Sequence, residues 1–141
     1  MTPEDIIAAA RLALGTPFKH QGRTVGTGLD CAGLLAHVCA TLGQQVIEQP
    51  GYARRPSNGL LEAALDAQPA LVRIKEKAQA GDFVLMKFET DKAPSHLGIV
   101  AGKTLIHSWA IARKVCEHNF DAEWQLRVVR VYRFKGLTDG E

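Results

Sequence analysis

Gly28-Leu29-Asp30-Cys31-Ala32-Gly33-Leu34-Leu35 decides how this chain is read. A glycine-rich approach ends at Asp30, a good helix N-cap, and Leu34, Leu35, Val38 and Leu42 follow at helical spacing up to Gly43. The pattern predicts a helix from about Asp30 to Leu42 with Gly43 as its stop. At about 100° per residue, Cys31 falls near the middle of the apolar stripe and within the first turn. Free N–H groups and the positive end of the helix dipole favour a thiolate there, and the same groups can stabilise an oxyanion. A free cysteine on an apolar stripe is ordinarily a small core residue. The cap position and the glycine-rich approach point instead to a nucleophile. Cys39, two turns on at the edge of the stripe, reads as structural.

A nucleophilic thiol needs a base, and the downstream sequence offers one. Ser95-His96-Leu97-Gly98-Ile99-Val100-Ala101 and Thr104-Leu105-Ile106-His107-Ser108-Trp109 flank Gly102-Lys103, a two-residue hairpin turn with glycine first. This register sets Ala101 opposite Thr104, Gly98 opposite His107 and His96 opposite Trp109. Period-two alternation then puts His96, Gly98, His107 and Trp109 on one face. His96 and His107 become diagonal neighbours roughly 7–8 Å apart at the backbone, within side-chain reach, and Gly98 is expected to leave open space across from His107. His96 is the candidate base, pairing with Cys31 and protonating the leaving amine; His107 is the candidate group that fixes its ring.

Other residues carry less. His37 falls on the helix side away from the stripe and is expected to be solvated. His118 lies in a polar segment, and Cys116-Glu117-His118 would need metal-binding partners that the sequence does not reveal. His20, in the glycine-rich loop, is a candidate cleft residue. Arg54 and Arg55 are candidates for pairing with substrate carboxylates, and Glu89–Pro94 for a cleft rim. Trp109 either shields the site or fills core. Nothing calls for a metal or organic cofactor.

The chain has 141 residues, 46% apolar and 23% charged, enough for one domain with a real core. A net charge of +2 without a basic run excludes a nucleic-acid binder, though slight basicity suits an anionic polymer. Three cysteines without paired spacing argue against a disulfide framework. No secretory leader or membrane-spanning run is evident, so synthesis in the cytoplasm without membrane insertion is expected.

Thr2-Pro3-Glu4-Asp5 opens a first helix bearing Ile6, Ile7, Ala10 and Leu14 and stopping at Gly15-Thr16-Pro17. Residues 15–29 read as loop and 44–59 as an exposed connection, with a short helix at Leu60–Ala67. Strands are expected at Leu71–Ile74, Phe83–Phe88, the hairpin His96–Trp109, and Leu126–Phe134. Helices first and strands later indicate a single α+β domain, residues 1–141, with an antiparallel sheet.

The ordered set Gly15-Thr16-Pro17-Phe18, Asp30-Cys31-Ala32-Gly33-Leu34, Gly81-Asp82-Phe83-Val84, His96-Leu97-Gly98-Ile99-Val100 and Ile106-His107-Ser108 resembles the NlpC family of cell-wall cysteine peptidases. The resemblance covers nearly the whole chain and implies a compact papain-like fold, with N-terminal helices on a C-terminal antiparallel sheet. It implies Cys31 as nucleophile, His96 as base and His107 as orienter. Asp30 would hold the substrate's amino end, with Phe18, His20 and Trp109 near the substrate. The implied reaction is cleavage of peptidoglycan stem peptides, often between D-glutamate and a diamino acid. Phe18 stands where the family has tyrosine, and Ala32 where it has serine, so two polar groups are missing at those positions. Phe18-Lys19-His20-Gln21-Gly22-Arg23 resembles a small phage-encoded branch associated with tails, which implies tail proteins as partners and delivery to the wall by the virion. The alternatives are a murein amidase with the same Cys–His chemistry, or a non-catalytic tail assembly protein with a vestigial site.

Overall fold

A computed structural model describes residues 1–48, 51–52 and 59–137. Thr2 and Asp5 close a reciprocal cap on α1 (Pro3–Arg11): the Thr2 hydroxyl accepts the Asp5 N–H at 3.2 Å and the Asp5 carboxylate accepts the Thr2 N–H at 2.9 Å. The helix ends earlier than the expected stop at Gly15. The chain leaves it to pair with a distant strand, through Gly15 N–H to Val115 O at 3.0 Å and Val115 N–H to Thr16 O at 2.8 Å. Leu14 is consequently exposed. The glycine-rich stretch is not plain loop either, because β1 (Arg23–Thr24) and β2 (Gly28–Leu29) form a small antiparallel ribbon within it.

The cysteine helix α2 (Cys31–Thr41) matches its expected span, and α3 (Leu60–Asp66) follows after the connection. The expected Arg54 and Arg55 substrate contacts lie outside the described residues. Then come β3 (Leu71–Ile74), β4 (Phe83–Met86), β5 (His96–Val100), β6 (Thr104–Trp109), β7 (Lys114–Asn119), α4 (Ala122–Gln125) and β8 (Val128–Phe134). The six-stranded sheet has the order β3-β8-β4-β5-β6-β7, with every neighbouring pair antiparallel. The β5–β6 hairpin has the expected register: Ile99 faces Ile106, Val100 faces Leu105, and Ala101 N–H donates to Thr104 O at 2.8 Å.

One sheet face buries Phe83, Leu85, Leu97, Ile99 and Ile106 against Ile6, Ala10, Leu34 and Val38 of the helices. The opposite face gathers Val84, Met86, Val100, Leu105 and Val131 beneath Trp124 of α4. Burial on both faces explains why β4 and β5 read as apolar runs rather than alternating patterns. Asp82, fully buried at the start of β4, accepts both Arg133 Nε–H and Nη2–H at 2.9 Å and so pins β4 to β8.

Two expectations fail on packing grounds. A Cβ on Gly98 would sit 2.8 Å from Leu105 Cδ1 and 3.2 Å from Met86 Cε, so the space expected beside His107 is filled. His37 is not solvated: its Nε2–H donates to Ala9 O of α1 at 2.8 Å, which ties the two helices together.

Gly33 sets how closely α2 approaches the preceding ribbon, because a Cβ there would lie 2.2 Å from the backbone oxygen of Gly22. Backbone cannot yield as a side-chain end can. Gly33→Ala is therefore expected to destabilise by about 1–3 kcal/mol or more, lowering Tm by roughly 2–4 °C per kcal/mol. Thermal unfolding followed by circular dichroism measures it, and an unchanged Tm would contradict the contact.

Candidate active site

Asp30 is the N-cap of α2, with extended backbone and its Oδ1 accepting the Gly33 N–H at 2.8 Å. The same oxygen accepts Arg23 Nη1–H at 2.9 Å; Oδ2 accepts the Gln21 N–H at 2.8 Å and the hydroxyl of Tyr52. Its oxygens thus hold four donors from the protein itself. Arg23 also reaches Glu48, with Nε–H at 3.0 Å, and the Tyr52 hydroxyl at 2.8 Å. Tyr52 comes from the segment expected to be a plain exposed connection. It carries a phenol hydroxyl into the cleft where Phe18 supplies none.

Cys31 opens α2 on the wall of a cleft of about 470 Å³. Phe18, Asp30, Tyr52, Ser95, His96 and Trp109 share that cleft. The thiol is not acidified as its helix position suggests. Burial, with the Asp30 carboxylate adding to it, pushes it up to about 12, while the backbone N–H groups of Leu97 and Ala32 and the Arg23 charge oppose this without prevailing. Cys31 is therefore a neutral thiol unless a base takes its proton.

His96 opens β5, and its Nε2 lies 2.6 Å from His107 Nδ1. His107 is wholly buried on β6, stacked on Trp109 (centroids 5.3 Å apart) and met edge-on by Trp124 at 5.1 Å. Its Nε2 lies 2.8 Å from Nε2 of His118 on β7, and His118 Nδ1 lies 2.8 Å from Asn119 O. Burial and the two flanking imidazoles drive His107 down to about 2, which keeps it neutral.

The carbonyl at the end of this chain fixes every proton in it when the rings are neutral. A carbonyl only accepts, so His118 carries its proton on Nδ1 and offers a lone pair at Nε2. His107 must then donate from Nε2 and accept at Nδ1, and His96 must donate from Nε2. What remains is a lone pair on His96 Nδ1, the tautomer a base requires.

The sequence-derived candidates are only partly gathered. Cys31, Asp30, Phe18, His96 and Trp109 line one cleft; His107 lies behind His96, and Trp109 both lines the cleft and stacks on His107. His20 is not among the cleft-lining residues and packs edge-on against Tyr52 at 5.5 Å. Of the expected rim, Thr90 lines the cleft and Asp91 accepts the Ser95 hydroxyl at 2.6 Å, ordering the approach to His96. The sequence pattern places no strand at β7 and so gives His118 no position beside His107. The alternation of Val115 and Glu117 with Cys116 and His118 is the signal that could have found it.

An antiparallel sheet with a cysteine helix at one end and imidazoles on adjacent strands is the papain-like architecture. The family model described as NlpC/P60 matches residues 15–133, and the chain belongs to the NlpC/P60 family. It is a cysteine peptidase by that membership. Solved structures agree on the fold. The NlpC/p60 domain of the peptidoglycan hydrolase SagA superposes with a TM-score of 0.64 at 19% identity, covering 93% of this chain and 97% of that one. An NlpC/P60 family protein from Bacillus cereus gives 0.67 at 20% identity, covering 93% of this chain and 39% of that one. The peptidoglycan hydrolase RipB from Mycobacterium tuberculosis gives 0.61 at 16% identity, covering 93% and 63%. No curated protein matches the sequence.

Iodoacetamide is expected to label Cys31 before Cys39 and Cys116 near neutral pH. Burial raises all three thiols, but of the three only Cys31 lines the cleft that His96 shares. His96→Ala should slow Cys31 labelling by about 10²-fold and move it to strongly alkaline pH, where a thiol raised to about 12 ionises unaided. Equal labelling of the three thiols, read by peptide mass spectrometry, would remove the case for a base-assisted Cys31.

Proposed function

We propose that the chain is a cysteine endopeptidase that hydrolyses peptidoglycan stem peptides between D-glutamate and a diamino acid. The observation that carries this reading is the imidazole chain that orients His96 on the wall of the cleft that Cys31 also lines. Membership of the NlpC/P60 family supports the substrate class, since solved members with this fold are described as peptidoglycan hydrolases.

In this mechanism Cys31 Sγ attacks the scissile carbonyl carbon as His96 Nδ1 takes the thiol proton. Backbone N–H groups at the start of α2 receive the developing oxyanion. The C–N bond then breaks, His96 gives its proton to the leaving amine, and a thioester remains on Cys31. Water attacks the thioester, losing one proton to His96, which returns it to the departing sulfur. His107 holds the base ring and His118 holds His107; neither touches substrate.

Asp30 keeps the nucleophile helix, Arg23 and Tyr52 in place. Glu48, half-exposed in the same cleft and paired with Arg23, is a carboxylate that a substrate ammonium can share. The apolar wall formed by Leu35, Val46, Ile47 and Leu61 suits the aliphatic parts of a stem peptide. Association with a phage tail is also part of the proposal, supported by the resemblance of Phe18–Arg23 to the phage-encoded branch. Its presence in purified virions, read by mass spectrometry, checks that part.

Digestion of purified peptidoglycan should create new amino ends on the diamino acid, read by mass spectrometry, and Cys31→Ala should abolish them. Release of intact stem peptides from the glycan would mean an amidase instead, and no product from the unaltered protein would mean a binding protein. His118→Ala should lower kcat by about 10-fold or more with KM little changed, because it releases the base's tautomer without touching substrate. A rise in KM alone would contradict that role.

A further inference from the structure

The register His107 opposite Cys116 supplies the partner that Cys116 and His118 lacked in the sequence. Cys116 and His118 sit two apart on β7, so both project to the face that carries His107. Among the described residues, the ligand atoms of His107, Cys116 and His118 all lie within 4.8 Å of one another. We propose that these three side chains form a site for a zinc-like divalent cation, and that filling it switches off His96. The binding part stands on the cluster alone; the switch rests on the Cys31–His96 reading above.

Two imidazoles and a thiolate are a donor set for zinc, with a fourth position left for water. Cys116 and His118 are half-buried, so that position opens to solvent, while His107 closes the inner side. The site has the outer support that such sites need: His118 Nδ1–H donates to Asn119 O at 2.8 Å, which turns its Nε2 lone pair inward. A tetrahedral zinc would set its ligand atoms about 3.3–3.6 Å apart. The His107 and His118 nitrogens, now 2.8 Å apart, need to part slightly and Cys116 to close in, with the half-buried His118 and Cys116 moving and His107 held between Trp109 and Trp124.

Occupancy reverses the proton order of the chain. A cation on His107 Nε2 displaces the proton held there, which is carried on Nδ1 instead. His107 Nδ1–H then donates to His96 Nε2, and the His96 proton resides on Nδ1. Cys116 releases its thiol proton to solvent as it binds. The two histidines keep one proton each, and only the Cys116 proton leaves. His96 Nδ1, the atom that must take the Cys31 proton, is now filled.

Zinc also binds cysteine–histidine pairs directly, so the experiment separates the two places. Chelator-treated Cys31→Ala protein is titrated with Zn2+ by calorimetry, and with Co2+ for its thiolate-to-metal charge-transfer absorption. One equivalent is expected to bind with that band present, and the added substitution Cys116→Ala should remove the band and weaken binding by about 10-fold or more. In the protein with Cys31 intact, Zn2+ should slow Cys31 alkylation, and Cys116→Ala or Cys116→Ser should keep the basal rate and relieve the inhibition. Binding that vanishes in Cys31→Ala, or that survives Cys116→Ala unchanged, overturns the site. Binding at Cys116 that leaves Cys31 alkylation unaltered overturns the switch. Binding in Cys31→Ala is read without any peptidase activity, so failure of the peptidoglycan reading and failure of this site remain distinct.

Discussion

The Asp30 carboxylate is the constraint on which the rest of the site depends. It caps the helix that presents Cys31, and through Gln21 and Arg23 of the glycine-rich stretch and Tyr52 of the connection it draws two other segments onto that helix end. Nearly buried, it would be costly without partners, and each oxygen has two. The same charge that organises the cleft also raises the nearby thiol. Structural order and thiol acidity therefore pull against each other at one residue, and the fold settles the conflict in favour of order.

In the proposed mechanism, that settlement makes His96 indispensable as the base. A thiol held neutral by burial reacts only when its proton has a prepared destination, and the imidazole chain prepares one without adding charge. A carboxylate behind His96 would favour the imidazolium more strongly, but His107 lies against two tryptophans where an unpaired charge is expensive. A run of neutral rings ending on a backbone carbonyl orients the base at no such cost. The arrangement also leaves the base sensitive to whatever binds at the far end of the chain.

Much of this was legible in order along the chain. The Thr2 cap, the α2 span and the β5–β6 register follow from local chemistry, namely a hydroxyl or carboxylate before a helix and a glycine-first turn between alternating strands. β7 was not legible, because Lys114-Val115-Cys116-Glu117-His118-Asn119 is a half-exposed edge strand of mostly polar residues. Without that strand the sequence pattern links neither His118 to His107 nor Gly15 and Thr16 to Val115, the pairing that takes the chain away from α1 after Arg11. Tyr52 was hidden for a similar reason: nothing nearby in sequence tells that its hydroxyl meets Asp30 across the cleft.

The sequence by itself determined the cysteine helix, the shared face of His96 and His107, and the α+β order of the elements. These depend on spacings of a few residues, where sterics and hydrogen bonding act directly. Only the tertiary structure decided the state of the Cys31 thiol, the filling of the space beside Gly98, and the extension of the imidazole chain to His118 and Asn119. Desolvation, close packing and hydrogen bonds between distant strands depend on what else occupies the neighbourhood, and no local pattern carries that information.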